Sequence, residues 1–118
     1  MRYLISFSLL LTATSVLAKE PVIEHVAVTQ TQSGTYRFSV TIRHPDTGWD
    51  HYANGWRVLD MDGNELGARV LLHPHETEQP FTRSLDGITI PPGTQKVQVQ
   101  ASDLPGGWNE NTTVIELP

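Results

Sequence analysis

The stretch Tyr36-Arg37-Phe38-Ser39-Val40-Thr41-Ile42-Arg43 decides the fold. Tyr36, Phe38, Val40 and Ile42 fall on one face, and Arg37, Ser39, Thr41 and Arg43 on the other. A period of two is that of a strand with one face buried. The flanking sequence repeats the logic. Val22 to Gln32 is rich in β-branched residues, with Val22, Val26 and Val28 on one face, and Ser33-Gly34 supplies the turn between the two runs.

Further along, Trp56 to Met61 and Leu66 to Leu72 flank Asp62-Gly63-Asn64, a hairpin signal. A two-residue turn would pair Leu59 with Leu66. A three-residue turn would pair Val58 with Ala68 and Trp56 with Val70. The second is preferred, because Leu66, Ala68, Val70 and Leu72 then line one buried face. Pro80 to Ile90 reads as one strand interrupted by a bulge at Gly87, or as two short strands. Pro91-Pro92-Gly93 is a turn, Val97, Val99 and Ala101 alternate, Leu104 to Gly107 opens a loop, and Thr113 to Leu117 closes the chain. No segment carries a helical stripe. The expectation is an all-β domain: one immunoglobulin-like sandwich of about seven antiparallel strands over residues 19–118. A small closed barrel is the rival. The expected core centres on Tyr36, Phe38, Val40, Ile42, Trp56, Val58, Val70, Val97 and Val99.

Residues 1–18 read as a cleaved signal peptide. Arg2 gives the positive start, Leu4 to Leu11 the apolar run, and Val16-Leu17-Ala18 the small residues before cleavage. The apolar run is shorter than the ~20 residues of a membrane span. The expected location is periplasmic or secreted, with no membrane insertion after cleavage. The chain has no cysteine, which excludes disulfides and thiolate metal sites. Its net charge is −5, and losing Arg2 makes the mature part more acidic still. Nucleic acid is therefore disfavoured as a partner.

The run His73-Pro74-His75 through Gln79-Pro80-Phe81-Thr82-Arg83-Ser84 resembles that of small secreted bacterial β-sandwich proteins of unassigned function. The resemblance covers most of residues 44–117. It implies a compact secreted β-domain and no activity.

Two residue groups are candidates for function. His73 and His75 stand at i and i+2, on one side of an extended chain, where two imidazoles can share an ion. His44 or His51 would complete the set, with Asp50, Glu76, Glu78 or Asp46 adding oxygen ligands. Nitrogen and oxygen donors of this kind suit Zn²⁺ or Cu²⁺. Loop histidines also serve as plain hydrogen-bonding locks. The second group is Trp49, Tyr52 and Trp108, aromatic residues beside loop glycines, the residue types that dominate binding hot spots. Asp60 to Glu65 lacks the spacing of a calcium loop and is explained by the hairpin turn. Ser84 and Ser102 lack the context of an activated nucleophile. The first functional expectation is a non-catalytic binding or accessory module for a protein, peptide or glycan of the cell envelope. A metal-binding protein is the alternative, and a hydrolytic enzyme a distant third.

Overall fold

A computed structural model describes residues 20–118. The expected leader over residues 1–18 lies outside the described residues. Eight strands follow in order: β1 (Val22–Gln32), β2 (Thr35–Arg43), β3 (Tyr52–Leu59), β4 (Glu65–Val70), β5 (Phe81–Thr89), β6 (Lys96–Leu104), β7 (Gly107–Trp108) and β8 (Thr113–Glu116). Every ladder is antiparallel. One sheet runs β1-β2-β5. The other runs β4-β3-β6, with β7 and β8 both pairing the far side of β6. The ladders of the described residues thus form two separate sheets, not a closed barrel.

The apolar faces of the two sheets meet in one core. Phe38, Val40, Ile42, Phe81 and Ile88 come from the first sheet; Trp56, Val58, Val97, Val99 and Ala101 come from the second. The deciding stretch behaves as its alternation requires, with Phe38, Val40 and Ile42 fully buried. Tyr36 packs on the edge of the core. Gly34 closes the β1–β2 turn with φ +77°, a conformation glycine adopts without a Cβ penalty. In β5, Asp86 and Gly87 stand as extra residues opposite Arg37, between the pairs Tyr36↔Ile88 and Phe38↔Leu85. Gly87 has φ +68° there, so this is one strand with a bulge.

Two registers differ from expectation. In β1 an irregularity between Ile23 and His25 leaves Val22 exposed; Ile23 joins Val26 and Val28 against the core. In the β3–β4 hairpin, Val58 pairs with Gly67, Arg57 with Ala68 and Gly55 with Val70, one residue away from the expected pairing. The cause is a bulge at Leu66, between the pairs Leu59↔Glu65 and Val58↔Gly67. Past it the inward positions are Gly67, whose missing Cβ would lie 3.1 Å from Ile88, then Arg69 opposite Trp56, and then Leu71. Val70 and Leu72 turn outward, so Val70 leaves the expected core. One inserted residue reverses every later side chain in a period of two. The short strand β7 lies where a loop was expected.

The candidate site lies where β2 and β6 end and where β3 and β5 begin. Antiparallel pairing puts these four strand ends at one pole, because Ile42 stands opposite Phe81 and Tyr52 opposite Leu104.

Candidate functional site

His44 is the first residue beyond β2, and its side chain is fully buried. Both ring nitrogens face carboxylates. Nδ1 is 2.5 Å from Asp46 Oδ1, and Nε2 is 3.1 Å from Asp103 Oδ2. Asp103 belongs to β6, so this imidazole ties one sheet to the other. A carboxylate only accepts hydrogen bonds. Both contacts are therefore hydrogen bonds at once when the ring carries both protons and the two carboxylates none.

Asp46 is held from further directions. Its Oδ1 also accepts the Ala53 N–H at 3.0 Å, and its Oδ2 accepts the His75 N–H at 2.7 Å. The carboxylate thereby pins the start of β3 and the 71–80 segment to the end of β2. Gln79 adds a second brace: its Oε1 accepts the His44 N–H at 3.0 Å, and its Nε2 donates to the His75 carbonyl at 2.8 Å. Buried polar groups are costly unless satisfied, and here the partners come from segments far apart in the chain.

His75 lies flat on Phe81, with ring centroids 3.9 Å apart and planes 7° from parallel. Arg83 donates to its Nε2 at 2.8 Å. Burial, then the Arg83 charge, then His73 hold the His75 ring below the ordinary histidine pKa. An Nε2 that accepts from a guanidinium is the nitrogen of a neutral ring. Arg83 is itself held by Glu78 at 3.3 Å. Thus the run from His73 to Arg83 forms one wall of the polar pole.

The expected histidine set is divided by the structure. His44 and His51 come together, their ring centroids 4.8 Å apart. Each can place one ligand atom within 4.8 Å of the others in a group completed by Asp103. His73 and His75 form a separate ring pair at 4.5 Å, with His73 Nδ1 beside the Pro74 carbonyl. Asp50, Glu76 and Glu78 are exposed. Asp103 escaped the sequence reading because it lies 59 positions from His44, inside an alternating strand. Its one local cue is the Gly106-Gly107 pair. A Cβ on Gly106 would come within 2.5 Å of Asp103 Oδ1, so glycine leaves room for the carboxylate.

The aromatic residues also separate. Trp49 is 66% exposed, at the tip of a loop tied by the Gly48↔His51 bridge. Tyr52 meets it edge-on at 5.7 Å. Trp108, 41% exposed, lies on the outer face of β3, over Gly55 and 4.0 Å beneath the Arg57 guanidinium. A cleft of about 620 Å³ lies elsewhere, between Asp60 to Asp62 and the 91–96 turn. There Asp60 caps its own hairpin turn: the Asn64 side chain, then the Asn64 and Asp62 N–H groups, donate to its carboxylate and lower its pKa.

No family model matches the chain, and no solved structure matches it. The chain is similar to a protein of Halomicrobium mukohataei named "Putative lipoprotein", 44% identical over 79 residues. The match covers 67% of this chain and 38% of that relative, so the chain spans well under half of the relative's length.

Proposed function

We propose that this chain is an immunoglobulin-like β-sandwich module of the cell envelope, secreted or periplasmic, that binds a peptide or glycan without catalysing a reaction. The lipoprotein name of the relative supports the envelope setting. The strand order, with β1-β2-β5 facing a sheet built on β4-β3-β6-β8, supports the immunoglobulin-like type.

One observation carries the binding role. Trp49 stands exposed, yet it is held edge-on by Tyr52 on a loop whose ends are bridged. A large aromatic face fixed before contact loses little conformational entropy on binding. Trp108, 41% exposed and held under Arg57, offers a second, smaller aromatic surface fixed in place.

The test is binding of the purified chain to arrayed envelope peptides and cell-wall glycans, read by tryptophan fluorescence. Binding should weaken at least tenfold in W49A and less in W108A, with melting temperature unchanged. Equal binding by wild type and W49A would refute the role of this loop.

A further inference from the structure

We propose that His44, His51 and Asp103 form a binding site for a divalent transition ion of the zinc type, with Asp46 as its positioning residue. The inference is independent of the aromatic loop's ligand.

The donor geometry is the first support. Around a tetrahedral ion with bonds of about 2.0–2.1 Å, neighbouring ligand atoms lie about 3.3 Å apart. His44 Nε2 is 3.1 Å from Asp103 Oδ2, and His51 Nε2 is 4.0 Å from the same oxygen. All three ligand atoms lie within 4.8 Å of one another, so a movement of His51 by up to about 1.5 Å closes the set. Two imidazoles and one carboxylate make a three-ligand site that leaves the fourth position to water or substrate. His51 is the accessible corner, with its side chain 26% exposed, whereas those of His44 and Asp103 are buried. An ion therefore has a route in, and two of its ligands are already held.

The second support lies behind the ligands. A metal-bound histidine almost always donates its other N–H to a carboxylate or carbonyl, which fixes the tautomer and the ring orientation. Asp46 Oδ1 is 2.5 Å from His44 Nδ1, and the carboxylate is braced by the Ala53 N–H on Oδ1 and the His75 N–H on Oδ2. With the proton fixed on Nδ1, the Nε2 lone pair points to Asp103 and His51. Nitrogen and carboxylate donors without sulfur favour Zn²⁺ or Cu²⁺ over Mg²⁺ or Ca²⁺.

A proton on His44 Nε2 could fill the same gap as a simple lock between the sheets, and the experiment separates the two. The full chain is freed of metal and titrated with Co²⁺, whose visible absorption reports its coordination, and Zn²⁺ is then used to displace it. Saturable one-to-one binding with a tetrahedral or five-coordinate spectrum is expected, and Cu²⁺ is run as a parallel arm. H51A should weaken Zn²⁺ binding at least 100-fold while the metal-free melting temperature holds, because His51 is partly exposed and makes no hydrogen bond to His44, Asp46 or Asp103. H51Q serves in its place if H51A fails to fold. D46N should weaken binding 10- to 100-fold, the usual effect of losing a carboxylate behind a ligand histidine. H73A should bind as wild type does. Absence of a Co²⁺ spectrum, or one unchanged by both His51 variants, would overturn the proposal.

Discussion

The apolar core between the two sheets and the polar pole are both buried, yet they are held by opposite means. Between the sheets, Phe38, Val40, Val58, Val97 and Val99 are fully buried and gain stability from apolar area, which has no preferred direction. At the pole, His44, Asp46 and Asp103 are equally buried, and their stability depends on donors and acceptors lying within a few tenths of an ångström. The interior should therefore tolerate shape changes of one methyl group. The pole should not tolerate loss of one partner, because the remaining charge stays buried and uncompensated.

The sharpest break of that contrast is His44→Ala against Ile42→Val, two residues apart on the same strand end. H44A should cost about 3–5 kcal/mol, since it strands two carboxylates. I42V should cost about 0.5–1.5 kcal/mol. Denaturant melts at one pH compare them, and equal costs would show that the pole is held by packing alone. Next in size is Gly106→Ala. Its Cβ would press on Asp103 Oδ1 at 2.5 Å, so a loss of about 1–3 kcal/mol is expected, the usual cost of overpacking. An unchanged melting temperature would show that Asp103 swings away freely.

A smaller effect follows from His75. Its pKa is depressed in the fold, so the unfolded chain binds the proton more readily. The stability tied to the neutral ring is fully present above the ordinary value of 6.5 and is lost as pH falls through the depressed folded value. His75→Gln should show a shallower decline than wild type below pH 6.5, read as the difference between two melting-temperature profiles. Parallel profiles would contradict the Arg83–His75 arrangement. The smallest change is Trp49→Ala, an exposed loop tip. Its stability should stay within about 0.5 kcal/mol of wild type, which separates the outer aromatic loop from the cluster beneath it.

Strand identity was legible where local periodicity carries it. The bounds of β1 agree with the sequence reading, those of β2 agree to one residue, and the Gly87 bulge agrees too. Each is set by neighbours in the chain. Hairpin β3–β4 was less legible, because the alternation of Leu66, Ala68, Val70 and Leu72 conceals the bulge that turns Gly67 and Leu71 inward. The histidine-rich loops were visible as residue types, and their partners were not.

The sequence by itself therefore determined an all-β chain, its turns and most of its core, since a period of two and a glycine turn are local properties. Only the tertiary structure decided that His44 and His51 share a pole with Asp103, and that His75 turns to Arg83. Those pairings rest on strand ends brought together by antiparallel register. No local pattern encodes a contact between residues 44 and 103.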